Sequence, residues 1–297
     1  ASLLLILLAI FLQVLKYLVL AYNFYLNFNK AGVKFEFIET LKATFVYMYV
    51  CVATPFVGAG GLLAFVNYAG HKRVSKIKVA AGSFLALLAD YLGFFVIILF
   101  SLLFFRDSID DFPVNYLVSM LVFGAILISI VILSIFRKEI PIYIIKKIQD
   151  LANFFSKKFQ NQEHFDSEWA RRNVTLAHEC FVDIKKDPFF YFKSVGIGLL
   201  FHLLNIATFL VVGLSFSEKL TLSKLTSSYV VLNTLETISP TPNGIGIIES
   251  FVPEFMASIG VPFSSALVVV TIFRFIYFYL PLFVGFYFSY KIFNGKK

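Results

Sequence analysis

A short run of prolines and glycines with one carboxylate lies inside an apolar stretch of this chain, at residues 239–249. Two prolines, Pro240 and Pro242, and two glycines, Gly244 and Gly246, interrupt the run. Proline lacks an amide hydrogen and clashes with the preceding turn, so a continuous helix here would leave backbone polar groups unpaired. Inside a bilayer such groups survive only where protein buries them or where they line a cavity. The run therefore predicts a binding site for a polar ligand.

Glu249 falls in the first turns of the half-helix that is predicted to start near Ile245. A carboxylate there stabilises the helix dipole, which is one interpretation. In the second, free amides around 244–247 bind a phosphate, and Glu249 contacts a cationic amine or titrates with a coupling proton. Glu236, just before the break, could join it. The other candidate ligands are residues of the run itself, Asn243, Ser239, Gly244 and Gly246.

Two further charges lie in the middle of apolar spans, Asp90 within 84–103 and Arg274 within 266–290. Charges at membrane depth are costly, normally face the protein interior and often pair. We therefore predict an ion pair between Asp90 and Arg274. Arg274 would either hold a lipid phosphate, to which guanidinium is geometrically suited, or belong to a permanent pair that fixes helix packing. Lys16 receives little weight, because a lysine within a span can extend its ammonium to the membrane surface.

The elements that must position these residues are transmembrane helices. Of the 297 residues, 59% are hydrophobic and 15% are charged, whereas soluble domains average about 25% charged residues. Several runs reach the roughly 20 apolar residues that a spanning helix needs. The sequence predicts an all-α polytopic membrane protein with a single transmembrane domain over 1–297. Because the chain begins with the apolar residue Ala1 and not with Met, we expect a missing N-terminal segment.

Five full spans are predicted, at about 1–26, 79–105, 114–136, 192–216 and 264–290. Two more segments, 41–69 and 225–259, are broken, the first at Pro55, Gly58, Gly60 and Gly61. Each half is too short to cross about 30 Å at about 1.5 Å per residue, so each segment is a re-entrant hairpin or one broken spanning helix. Re-entrant hairpins leave most lysines and arginines on one side, which the positive-inside rule favours.

If both broken segments are re-entrant hairpins, the two halves of the chain form an inverted repeat, with repeat one at about 1–105 and repeat two at about 192–290. In transporters this arrangement places the substrate near the midplane, where broken helices meet. A span at 114–136 links the repeats. The polar region 137–191 contains an amphipathic, lysine-rich stretch at 140–159, which predicts either a helix bound to anionic headgroups on the cytoplasmic leaflet or a solvated linker.

Enzyme chemistry finds little support in the sequence. The four histidines form no metal spacing, and His178-Glu179 lacks the second histidine of a zinc protease. No G-x-S-x-G run provides a nucleophile. We therefore predict no catalytic residue, no metal and no cofactor. Because nucleic-acid motifs are absent, the net charge of +8 indicates cytoplasmic loops and no nucleic-acid partner.

Asn233 through Glu249, then Gly260-Val261-Pro262 and Arg274, resemble the second-half signature of the flippase-like, lysylphosphatidylglycerol synthase transmembrane-region family. Thr54-Pro55-Phe56 with the following glycines resembles its first-half break. The resemblance covers about 1–290. The chain departs from the family where Leu62 and Leu63 follow the glycine pair, because a polar or acidic residue often stands there.

The resemblance implies a multi-pass protein of the inner, cytoplasmic membrane that moves a phospholipid, such as an aminoacylated phosphatidylglycerol, between leaflets. Some family members carry a soluble aminoacyl-transferase domain that makes this lipid. The membrane part then exports it, which lowers negative surface charge and gives resistance to cationic antimicrobial peptides. Two alternatives stay open. The chain could be the membrane component of a lipid-linked transferase, working with a separate aminoacyl- or glycosyl-transferase, or it could be a transporter of small solutes or ions.

Overall fold

The computed structural model describes residues 2–53, 59–105, 187–216, 221–239 and 241–293, together with isolated positions between 122 and 186. Over these ranges the chain is helical, as predicted, with no strand. Numbered over the described residues, the helices are α1 (Leu3–Lys30), α2 (Phe37–Ala53), α3 (Ala59–His71), α4 (Lys76–Phe105), α5 (Pro188–Leu214), α6 (Leu222–Ile238), α7 (Ile247–Ser258), α8 (Phe263–Arg274) and α9 (Leu280–Phe293).

Four helical segments of the described residues are long and apolar enough to cross a bilayer: Leu3–Lys30, Lys76–Leu103, Pro188–Leu214 and Phe263–Ile292. They correspond to four of the five predicted spans. The predicted span 114–136 and the amphipathic stretch 140–159 lie outside the described residues except at isolated positions. The two broken segments are helix pairs, α2 with α3 and α6 with α7.

Helices α2 and α3 form an antiparallel pair that we call hairpin one. At its polar end, the Lys72 ammonium forms an ion pair with Glu39 in the first turn of α2. At the other end, a Cβ atom on Gly61 would lie only 2.4 Å from the Tyr47 ring and 2.5 Å from the Cys51 sulfur. A side chain at Gly61 would therefore overlap these atoms, so this glycine lets α3 approach α2. Pro55 and Gly58 lie outside the described residues, and the surroundings of Gly60 are not described.

Helices α6 and α7 form a second antiparallel pair, hairpin two. The Lys224 ammonium at the start of α6 reaches the Gly260 carbonyl beyond the end of α7, at 3.5 Å. At the opposite end, the tip, a 3₁₀ turn over Pro242–Gly244 connects the helices. Three tip residues have left-handed backbone, Asn243 with φ of 50°, Gly244 with φ of 70° and Gly246 with φ of 83°. The tip is thus a folded turn where the sequence predicted a break.

The last span changes its hydrogen-bonding register immediately after Arg274, because Phe275–Tyr279 is π-helical. Pro281 has no amide hydrogen, so the Tyr277 carbonyl four residues earlier loses its α-helical donor. The hydroxyl of Tyr17, on α1, donates to this carbonyl at 2.6 Å. The proline thereby fixes α1 against the last span close to the charged residues.

Candidate functional site

The tip of hairpin two is built by its own polar residues. Ser239 is the C-cap of α6, and its hydroxyl accepts the Thr241 amide at 3.1 Å and contacts the Thr241 hydroxyl at 2.8 Å. Helix α7 begins at Ile247, two residues after the predicted start, with Gly246 as its N-cap. A Cβ on Gly246 would meet no atom within 4 Å, whereas one on Gly244 would lie 2.6 Å from Ile248. Both positions favour glycine because their φ angles are positive, and Gly244 also lacks room for a Cβ atom beside Ile248.

Glu249 caps α7, which agrees with the first of the two interpretations of the sequence. Its Oε2 accepts the Gly246 amide at 2.8 Å, and its Oε1 accepts the Arg274 Nε at 2.9 Å. The side chain is 27% exposed, whereas Arg274 is fully buried. The carboxylate is thus the accessible member of the pair.

The free amides that the sequence predicted at the start of α7 are mostly occupied. The Gly244 amide donates to Thr241 and the Ile245 amide to Pro242, both at 3.1 Å. The Gly246 amide donates to Glu249. Since the chain's own oxygens take three of the four amides at 244–247, the predicted phosphate cradle is wrong in that form. An anion at this tip would need another donor.

Arg274 offers such a donor. Its Nε binds Glu249, and its Nη2 donates to the Asn243 carbonyl at 3.1 Å. The guanidinium carbon lies 4.6 Å from the centroid of the Phe278 ring. The Nη1 group, which carries two N–H donors, is buried without an acceptor among the described residues.

The predicted ion pair between Asp90 and Arg274 does not form. Arg274 pairs with Glu249, because hairpin two folds back and packs α7 against α8. Asp90 lies instead beside His202, with 3.4 Å between the Asp90 Oδ1 and the His202 Nε2. The other ring nitrogen of His202 shares a hydrogen bond of 2.6 Å with the Tyr229 hydroxyl. Two charges in the middle of apolar spans were poor evidence for contact between them.

Glu236 joins the charged group at the tip, as the sequence suggested. It is only 4% exposed. Its Oε1 accepts the side-chain amide of Asn243, and its Oε2 accepts the Tyr277 hydroxyl at 2.6 Å. Since the Asn243 carbonyl binds Arg274, the chain Glu236–Asn243–Arg274–Glu249 is continuous. We call these four residues the tip cluster.

Lys16 corrects the sequence analysis most strongly. It is fully buried, so the expectation that its ammonium extends to the membrane surface is wrong. It lies near the middle of α1, roughly 20 Å from either end at about 1.5 Å per residue, which exceeds the reach of a lysine. Its Nζ has no hydrogen-bond partner among the described residues. The Nζ lies 3.7 Å from the Tyr17 ring centroid, 4.4 Å from that of Tyr277 and 5.3 Å from that of Phe201.

Further buried polar residues escaped the sequence analysis. Gln13 donates to the Asn205 side chain at 3.2 Å and to the Thr208 hydroxyl at 2.9 Å, and Asn205 donates to the Tyr229 hydroxyl at 3.2 Å. These residues could have been recognised from the sequence, because they are polar and lie in the middle of apolar spans. That criterion was applied only to the charged residues Asp90 and Arg274. None of the described ranges groups three histidine, cysteine or carboxylate side chains in a way that could hold a metal ion.

Comparison with known families identifies a membrane domain. The family described as the lysylphosphatidylglycerol synthase TM region matches residues 1–285, nearly the whole chain. A search of curated proteins found no match. The resemblance suggested by the 239–249 run is thereby confirmed. The chain belongs to the lysylphosphatidylglycerol synthase transmembrane-region family.

Proposed function

We propose that this protein translocates a phospholipid, such as an aminoacylated phosphatidylglycerol, between the leaflets of the inner, cytoplasmic membrane. The family and the apolar helices support a membrane protein connected with lipid synthesis. The observation that carries the proposal is the Arg274–Glu249 pair, in which a buried guanidinium keeps one unpartnered nitrogen and its carboxylate partner is partly exposed.

An aminoacylated phospholipid carries both charges that this pair would require. Its phosphate would accept from the Arg274 Nη1, and its ammonium would bind Glu249. Breaking a buried pair normally leaves an uncompensated charge, which costs several kcal/mol. A headgroup with one charge of each sign could replace both partners at once and avoid that cost. A lipid with only a phosphate could not, so the pair favours a zwitterionic or aminoacylated headgroup.

The remainder of the proposal concerns how the lipid moves. The two hairpins would enter the membrane from opposite sides as parts of an inverted repeat, and the headgroup would pass between them while the tails stay in the bilayer. An apolar cleft of about 100 Å³ supports a tail position. Its walls come from α1, α2 and the last span, and include Ile10, Val14, Phe45, Leu280 and Val284. Gln13 and Tyr17 also line the cleft, which therefore runs towards the buried polar residues.

The test is translocation by the purified full chain in phosphatidylglycerol vesicles. An acyl-labelled phosphatidylglycerol and its lysyl ester would be followed by chemical quenching of the outer leaflet. We expect the wild type to move the lysyl ester faster than the unesterified lipid. Glu249→Gln should slow the ester by at least about tenfold, equivalent to about 1.4 kcal/mol. The matched control is Glu254→Gln, an exposed carboxylate on the same helix, which should leave the rate unchanged.

Other outcomes distinguish the alternatives. Normal translocation by Glu249→Gln would reduce Glu249 to a helix cap and overturn the site. Failure of the wild type to move either lipid, combined with stimulation of a separate aminoacyl-transferase in the same vesicles, would favour the membrane component of a transferase. Transport of a small solute without lipid movement would favour the third alternative.

A further inference from the structure

We infer that Lys16 carries a coupling proton, so that a transmembrane pH gradient drives lipid translocation; this inference rests on the proposed translocase function. The site consists of Lys16 and the three aromatic rings around it, from Tyr17 on α1, Phe201 on α5 and Tyr277 in the π-helical turn. Lys16 is not part of the tip cluster, and the proposed headgroup contacts do not use it.

Geometry favours exchange of a proton at Lys16 over binding of an anion there. The residue is fully buried and its Nζ has no acceptor among the described residues. The rings lie 3.7 to 5.3 Å from the Nζ. The apolar cleft is lined by Gln13 and Tyr17 but not by Lys16. A phosphate would need empty space beside the ammonium, whereas loss or gain of a proton leaves the volume of the side chain almost unchanged.

Both protonation states of Lys16 have stabilising neighbours. Aromatic faces attract an ammonium, and Glu236 and Asp90 are the carboxylates close enough to act on its charge. A neutral amine among aromatic rings avoids the desolvation of a buried cation. Lysine changes charge readily when buried, whereas arginine keeps its proton. The titratable groups that act on Lys16 or lie beside it are Tyr17, Tyr277, Glu236 and Asp90. Behind Asp90 lie His202 and then Tyr229, and Arg274 lies beyond Glu236 in the tip cluster.

The proton step balances without another reactant. The step requires the Lys16 ammonium to move within hydrogen-bond distance of Glu236, since its Nζ has no partner among the described residues. The ammonium then gives a proton to the Glu236 carboxylate, so one N–H bond breaks and one O–H bond forms. The products are a neutral amine and a neutral carboxyl group. The amine then regains a proton from the side of Asp90, whose side chain is 17% exposed. Net charge inside the protein is unchanged by the first transfer, which avoids an uncompensated charge at membrane depth.

The tip cluster links this step to the lipid. The side-chain amide of Asn243 donates a hydrogen bond to Glu236, and the Asn243 carbonyl accepts one from Arg274. Asn243 thereby covers Glu236. A headgroup that separates Arg274 from Glu249 would loosen Asn243 and open Glu236 to water. Release of the proton from Glu236 would then accompany passage of the headgroup. Loading from Asp90 and release through Glu236 would give the transport cycle a direction.

The experiment measures translocation of the acyl-labelled lysyl ester with and without an imposed pH gradient, and reports internal pH with a trapped dye. We expect a gradient of one sign to accelerate the wild type several-fold and the lipid to carry protons with it. Lys16→Met and Lys16→Arg should both keep translocation without a gradient and lose the acceleration. Lys30→Met, at the end of the same helix and half-buried beside Asp187, should respond as the wild type does.

Each contrary result has a separate meaning. A wild type that translocates but ignores the gradient would overturn this inference and leave the proposed function intact. A wild type that moves no lipid would overturn both. A gradient response that persists in Lys16→Met would make Lys16 structural. Translocation lost in Lys16→Met but restored in Lys16→Arg, with no gradient present, would assign Lys16 to phosphate binding and overturn proton coupling. If Lys16→Met cannot be purified, the wild-type and Lys16→Arg measurements still decide.

Discussion

Hairpin one and hairpin two are both antiparallel pairs of short helices, yet they bury opposite kinds of side chain. The described part of hairpin one packs aromatic rings, with Phe65 lying 4.5 Å from Phe24 and 5.5 Å from Tyr47, measured between ring centroids. The tip of hairpin two buries Glu236 and Arg274. The ion pair of hairpin one, Glu39 with Lys72, lies at its polar end.

The antiparallel helix pair is therefore stabilised in two ways, by aromatic packing in hairpin one and by paired charges in hairpin two. Aromatic packing fixes the position of hairpin one between α1 and α4, because dense packing and short ring contacts leave little freedom. Hairpin two instead holds buried charges, which are costly at membrane depth unless they are paired or used. Substitutions should therefore impair hairpin one through packing and hairpin two through electrostatics.

The largest effect is expected for Arg274→Met. Removing the guanidinium leaves Glu236 and Glu249 without their cation, and such a loss costs about 3–5 kcal/mol in buried pairs. The measurement is the free energy of unfolding in mixed micelles. Adding Glu249→Gln should recover part of the loss, since the double variant removes both members of the pair. Asp90→Asn should add independently to Arg274→Met, because Asp90 lies beside His202. Additivity between Arg274 and Glu249 would show that their contact is weak.

A smaller effect is expected for Gly61→Ala in hairpin one. The new methyl group would lie about 2.4 Å from the Tyr47 ring and 2.5 Å from the Cys51 sulfur, so α2 and α3 must separate. Overpacking of this kind costs about 1–3 kcal/mol. Gly196→Ala is the matched control, because a Cβ there meets nothing within 4 Å and α5 should lose no stability. Unchanged stability of Gly61→Ala would mean that hairpin one is loosely packed.

The smallest effect concerns the exposed ion pair of hairpin one. The hydrogen bond from Lys72 lowers the pKa of Glu39 below its ordinary value. A lowered pKa means that the contribution to stability exists above the unfolded-state pKa of about 4.3 and is lost as pH falls through the folded-state pKa. Exposed pairs contribute only about 0.2–1 kcal/mol. Glu39→Gln should therefore lower the melting temperature slightly at pH 7, and its difference from the wild type should shrink as pH falls below about 4.3. A large loss at pH 7 would place this pair among the main stabilising contacts.

Much of the architecture could be predicted because its physical causes are local. The length of the apolar runs was enough to predict four spans. The proline and glycine breaks at 54–61 and 239–246 were enough to predict both helix pairs. The chemical types of the tip residues likewise marked Glu249, Arg274 and Glu236 before any contact was known. Hydropathy and breakers act within a few residues, so one sequence is enough to recognise them.

Contacts between distant elements could not be predicted in the same way. The partner of Arg274 depends on how hairpin two folds back onto α8, and neither position along the chain nor place in a repeat specifies that. The burial of Lys16 depends on rings from α5 and the last span, Phe201 and Tyr277. Pro281 was a usable local signal, since a proline inside a span predicts a freed carbonyl four residues earlier.

The central claim is that the tip cluster of hairpin two holds a phospholipid headgroup, and native mass spectrometry of the purified protein tests it most directly. We expect the wild type and Glu254→Gln to retain a bound phospholipid, with an aminoacylated species enriched over its share of the membrane. Glu249→Gln should lose that enrichment while hairpin-one variants such as Gly61→Ala keep it in their folded fraction. Equal enrichment in Glu249→Gln, or no lipid preference in the wild type, would contradict the account.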